Sequence, residues 1–286
     1  MKDTIQFGRV TGIPVGAHWS VLLIGGLMTL TLGSSVLPTL VPGHATITYF
    51  GAALIGATAF GVSILAHELG HAVTARRNGV DTEGITLWLL GGVARLSREP
   101  DSPGSAFRIA VAGPLVSLAV AAVTAALSWA AYTTGATLVL VAVLGWLAVI
   151  NTMLALFNLI PATPLDGGRI LAAALWYRSG DALGAAITAA KAGRAFGTLL
   201  VGYGVYQLFT GAGTGLWTMA LGFFILSAAR AERRQAEYRR RLRHRRRFEP
   251  TLMDMFGAMT ATPQRPGTPA PVVVNVTSRP VDRGPR

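Results

Sequence analysis

The chain has 286 residues, 51% hydrophobic and only 13% charged, with a mean hydropathy of +0.49 and a formal net charge of +12. This composition excludes an ordinary soluble domain, and the absence of cysteine excludes disulfides and thiolate metal sites. The positive charge does not point to nucleic acid: its densest block, RRRLRHRRR at 239–247, directly follows an apolar run, where basic residues read as a topology signal facing anionic lipid.

The opening stretch MKDTIQFGRVTGIP offers no convincing signal-peptide cleavage site. Six apolar segments follow, at about 16–37, 48–75, 106–132, 136–160, 194–211 and 214–230, the fifth being the shortest on apolar residues and rich in glycine. Arg76, Arg77, Arg108, Arg169, Arg178, Lys191, Arg194 and Arg230 flank one side of these segments, and the loops around 38–47, 133–135 and 212–213 contain no Lys or Arg. That asymmetry predicts a multi-pass protein of the cell membrane with both termini in the cytoplasm. The expected fold class is an α-helical polytopic membrane protein with about six transmembrane helices.

Between the second and third segments, GITLWLLGGVARLSREP alternates Ile85, Leu87 and Leu89 with Thr86, Trp88 and Leu90, and Gly91-Gly92 sits at its middle. The pattern predicts a membrane-associated β-hairpin; a short interfacial loop is the alternative. From about residue 248 the composition turns to Pro, Thr and Gly, which cannot bury a core and predicts disorder. No internal repeat is visible, which argues against a transporter of duplicated halves. The expected division is a core over 1–230 and a basic juxtamembrane segment and tail over 231–286.

The stretch that carries chemistry is SILAHELGHAVTARR, 63–77. His67 and His71 are four apart, so on a helix both imidazoles share a face and can grip one metal ion. Glu68 follows His67 closely enough to act as a general base toward water. This is the H-E-x-x-H arrangement of zinc metalloproteases. Ionisable groups within a membrane helix cost on the order of 3 kcal/mol each, so they usually serve a function. A satisfied polar cluster between helices is the bland alternative. A di-iron reading fails, since no second E-x-x-H exists.

A catalytic zinc needs a third protein ligand. His44 lies in an outer loop, His244 in the basic tail, and His18 beside Trp19 fits an interfacial structural role better than ligation. Asp81, Glu83, Glu99 and Asp101 flank the hairpin in polar surroundings. Asp166 is the favoured candidate: in FNLIPATPLDGGRI, Pro161 and Pro164 break the helix and Gly167-Gly168 let the backbone turn it toward the metal. A helix-capping role for Asp166 stays open at this point.

HELGHAVTARR, LLGGVARL, AGPLVS and FNLIPATPLDGGR, in this order, resemble the site-2 protease family of intramembrane zinc metalloproteases over about residues 5–230. The resemblance implies that His67, His71 and Asp166 bind one Zn²⁺ and that Glu68 activates water. It also implies that Asn158 contacts substrate or the developing oxyanion. The implied substrates are transmembrane segments of single-pass proteins, often cut after another protease has removed the outer domain, with a cytoplasmic regulator released. No nucleic-acid partner is expected. Many bacterial six-span relatives carry paired CBS domains after the last span. Here TLMDMFGAMTATP is similar to the opening of one, but too few residues follow for a pair, and there is no room for an inserted PDZ domain. The rival from another class is a metal-ion transporter or membrane scaffold using the same His and Asp cluster, in which Glu68 would be dispensable.

Overall fold

The computed structural model describes residues 5–89, 91–211 and 213–260, with side chains through residue 242. In chain order, β1 (Ile5–Val10) and β2 (Ile13–Ala17) precede α1 (Ser20–Thr31), a π-helical stretch (Leu32–Val36) and the short α2 (Leu37–Leu40). Then come α3 (Thr46–Arg77), β3 (Thr82–Trp88), β4 (Gly91–Leu96), α4 (Pro103–Thr133) and α5 (Leu138–Asn158). The last helices are α6 (Asp166–Ser179), α7 (Ala182–Phe209) and α8 (Gly215–Thr260). From Arg241 the chain forms a separate unit, helical through Thr260.

Four helical stretches among the described residues are long and apolar enough to cross a bilayer: Ser20–Leu40, Thr46–Arg77, Pro103–Thr133 and Leu138–Asn158. Their outward faces carry large apolar side chains, such as Leu22 at 70% exposure and Ile55 at 69%, as suits a lipid surround. Where helices meet, small residues let the backbones approach. A Cβ on Gly56 of α3 would sit 3.2 Å from Leu32 and 3.4 Å from Val143 of α5. The fifth and sixth predicted segments are helical, as parts of α7 and α8, but neither helix meets the same standard of length and hydropathy. The reasons are local: α7 carries Lys191 and Arg194 and many glycines, and the apolar part of α8 ends at Arg230.

The predicted hairpin is present: β3 and β4 pair antiparallel, with Trp88 opposite Gly91. It is half of a larger sheet of four strands in the order β1-β2-β3-β4. The first hairpin was not anticipated. Its turn is legible in hindsight, since Thr11 (φ 51) and Gly12 (φ 81) both adopt the left-handed conformation that a tight two-residue turn requires. Strand β2 runs parallel to β3, with Val15 opposite Ile85. Ile13, Val15, Ala17, Ile85 and Leu87 form one buried cluster with Ala72 of α3. The sheet is therefore seated on α3 immediately beside His71, and β4 is its edge strand.

Helix α8 continues past residue 248, where the composition had predicted disorder, as far as Thr260. Residues 261–286 of that predicted tail lie outside the described residues.

Candidate metal centre

Three buried donors meet between α3 and α6: His67 (4% exposed), His71 (5%) and Asp166 (8%). Nε2 of His67 lies 3.1 Å from Oδ2 of Asp166, Nε2 of His71 lies 3.2 Å from the same oxygen, and the two Nε2 atoms are 3.2 Å apart. Among the described residues these three form the group whose donor atoms could hold one metal ion. Ligands bonded tetrahedrally at about 2.0–2.1 Å stand roughly 3.3 Å apart, so the triangle has the dimensions of one face of such a site.

The outer nitrogens explain which atoms point inward. Nδ1 of His71 lies 2.7 Å from the carbonyl of Ile109, which can only accept, so Nδ1 carries a hydrogen and Nε2 is the nitrogen turned inward. Nδ1 of His67 lies 2.9 Å from the Ser117 hydroxyl. Two imidazole nitrogens and a carboxylate oxygen facing one another at this range call for a shared positive charge. One proton satisfies a single pair; a metal ion satisfies all three donors at once. The residues present fit a bound metal.

Helix α4 is shaped around the two imidazoles. Ile109, Gly113 and Ser117 fall four residues apart on one face of it. A Cβ on Gly113 would lie 2.2 Å from Nε2 of His71 and 2.6 Å from Nε2 of His67, so only glycine fits there. These supports escaped the sequence reading, although AGPLVS contains two of them and the spacing 109/113/117 is a helical face.

Asp166 opens α6, with Leu165 as its N-cap, after the irregular segment 159–165 that follows α5. The two glycines after it work differently from expectation. They lie inside α6, where a Cβ on Gly167 would be 2.3 Å from the carbonyls of Leu159 and Ile160, and one on Gly168 would be 2.4 Å from the nitrogen of Thr163. Their role is close approach of the 159–165 segment, not a turn.

Glu68 is half-buried and lies against β4: a Cβ on Gly92 would meet its Cγ at 2.3 Å and its Oε1 at 3.0 Å. Asn158 is not drawn into the cluster; its amide donates to the Leu154 carbonyl at 3.0 Å, one turn back on α5. His18 sits 2.8 Å from Ser20 at the start of α1, in keeping with a structural role, and His44 packs edge-on to Tyr49.

The sequence pattern of peptidase family M50 matches residues 55–137 and 131–201, a region that takes in His67, Glu68, His71 and Asp166. The chain belongs to peptidase family M50. Among similar proteins, Rip3 of Mycobacterium tuberculosis is 45% identical over 233 residues, covering 81% of this chain and 59% of that protein. The zinc metalloprotease MJ0392 of Methanocaldococcus jannaschii is 32% identical over 210 residues, covering 73% of this chain and 56% of that one. The chain thus spans less than two thirds of the length of these curated relatives. Among solved structures, the site-2 protease from Methanocaldococcus jannaschii superposes with a TM-score of 0.54 at 28% identity, covering 80% of this chain and 94% of that one. The M50 chain shares that fold.

Proposed function

We propose that this M50 member is an intramembrane zinc endopeptidase that hydrolyses peptide bonds in transmembrane segments of single-pass membrane proteins. What carries the proposal is the buried triangle of His67, His71 and Asp166, whose two histidines stand on a helix long enough to cross a bilayer. These three residues would hold one Zn²⁺. When bound, the ion supplies Lewis-acid chemistry: it makes water a nucleophile near neutral pH and polarises the scissile carbonyl.

The chain's own residues do the rest. Glu68 takes a proton from the attacking water at its carboxylate and returns it to the amide nitrogen as the C–N bond breaks. Ser117 and the Ile109 carbonyl fix the rotation of the two imidazoles, as hydrogen-bond partners behind metal ligands do. Asn158 would donate to the substrate carbonyl by turning its amide away from Leu154.

The proposed topology has six spans, with α7 and the start of α8 as the fifth and sixth, both termini cytoplasmic, and the basic segment after residue 230 against the inner leaflet. Glu68 stands eight residues from Arg76, about 12 Å along a helix, which sets the chemistry below the cytoplasmic surface. A substrate helix must unwind there. Once extended, it can add to the edge strand β4, whose Gly92 lies against Glu68.

The test is co-expression of the wild type or Glu68→Gln with candidate single-pass substrates. A cleavage fragment that needs Glu68 is expected. A fragment that persists undiminished with Glu68→Gln would remove the general base, and with it the proposed mechanism.

A further inference from the structure

Asp166 owes its position to an irregular segment. Residues 159–165 join α5 to α6 with few regular hydrogen bonds of their own: Ala162 donates to Ile160 at 2.7 Å, Leu165 to Ala162 at 3.0 Å and Gly168 to Leu165 at 3.0 Å. Ala162 (1% exposed) and Thr163 (4%) are nonetheless buried. The Thr163 hydroxyl is buried too, and among the described residues it has no hydrogen-bond partner. Packing must therefore hold this residue in place.

The packing comes from two glycines on opposite sides. On the α6 side, a Cβ on Gly168 would lie 2.4 Å from the Thr163 nitrogen. On the α7 side, a Cβ on Gly193 would lie 2.2 Å from the Thr163 carbonyl oxygen, 2.9 Å from its hydroxyl and 3.0 Å from its nitrogen. Thr163 is gripped between them, three residues before Asp166. Gly193 lies on a face of α7 that is closed by Ala189 and Ala190, both fully buried. Other tight glycines of α7 do something else: Gly184 meets the capping Asp181, Gly197 meets Leu226 and Gly222 of α8, and Gly204 meets Met219 and Gly215.

We propose that Gly193 is a positioning residue for the metal centre: by admitting the Thr163 backbone against α7, it fixes the segment that aims Asp166 at His67 and His71. This rests on Asp166 being a metal ligand. A methyl group at Gly193 cannot stay 2.2 Å from a carbonyl oxygen; backbone must move by roughly 1 Å to restore ordinary contact. The far end of that movement is the third donor. Residues that orient metal ligands typically change affinity by about 10-fold to 100-fold when altered, and Gly193→Ala should do the same.

The experiment measures Zn²⁺ affinity of the purified full chain in detergent, by competition with a chelating dye. The variants are Gly193→Ala, Gly197→Ala, Asp166→Ala and the Gly193→Ala/Asp166→Ala double variant. Gly193→Ala should weaken Zn²⁺ binding by about 10-fold or more. Gly197→Ala, a methyl 2.9 Å from Leu226 in a looser α7 contact against α8, should shift thermal stability and leave Zn²⁺ affinity alone. The double variant should bind no more weakly than Asp166→Ala, because Gly193 acts through that carboxylate. If Asp166→Ala binds Zn²⁺ as the wild type does, the ligand assignment itself falls. If Asp166→Ala loses affinity while Gly193→Ala keeps it, or if the two losses add, the positioning role alone is overturned. Hydrogen exchange of the wild type keeps the test decisive should Gly193→Ala not fold. Added Zn²⁺ should protect 160–166 and 190–196 together, and protection that stops short of α7 overturns the proposal.

Discussion

The hydroxyl of Ser117 lies 2.9 Å from Nδ1 of His67, and both residues are buried, Ser117 completely. A serine one helix away thus governs which nitrogen of a prospective metal ligand faces the cluster. Ser117→Ala should leave the fold intact and weaken Zn²⁺ binding by about 10-fold, because the ring loses the partner that sets its rotation. Zn²⁺ competition against a chelator, run beside a thermal melt, separates the two effects. An unchanged affinity would mean that the hydroxyl is only a packing group.

Two glycines near the cluster should fail in different ways when given a methyl group. Gly113→Ala places a carbon 2.2 Å from Nε2 of His71 and should abolish metal binding. Gly92→Ala collides instead with the Glu68 side chain, at 2.3 Å from Cγ. It should therefore preserve Zn²⁺ and lower kcat by at least about tenfold, since the proton acceptor is displaced. Metal content and turnover measured on both variants decide the matter. Loss of metal in Gly92→Ala would show that β4 supports the ligands and not the base.

Topology gives an independent test. Reporters fused before residue 5, after Arg77 and after Arg247 should all read cytoplasmic, and one inserted near Pro42 should read external. A cytoplasmic Pro42 would overturn the proposed six-span arrangement.

What could be read from the sequence follows the range of the forces involved. His67 and His71 were legible as a pair because helical geometry fixes the relation of i and i+4 locally. Asp166 could only be favoured over capping alternatives, since nothing in a linear pattern measures a distance between residues 95 apart in sequence; folded, it lies 3.2 Å from His71. Gly167 and Gly168 were visible as special, but their purpose was misread as a turn because the segment they pack against was unknown. Strands β1 and β2 were hidden for a different reason. Every residue of β1 is exposed, its Ile5-Gln6-Phe7-Gly8 alternation breaks off at Arg9-Val10, and the parallel pairing of β2 with β3 spans a long stretch of chain. In α7 and α8, packing through Gly197, Gly204, Gly215 and Gly222 needs small residues, and these lower the hydropathy of both helices below that of the four apolar stretches.

The proposed metal centre requires His67, His71 and Asp166 to bind one ion together. X-ray absorption at the zinc edge, on purified wild type and Asp166→Ala, tests it most directly. For the wild type, one Zn²⁺ per chain with two imidazole nitrogens and a carboxylate oxygen at about 2.0–2.1 Å is predicted, with the oxygen contribution reduced and occupancy lowered in Asp166→Ala. A wild type that retains no zinc, or an Asp166→Ala protein with the same occupancy and the same spectrum, would contradict it.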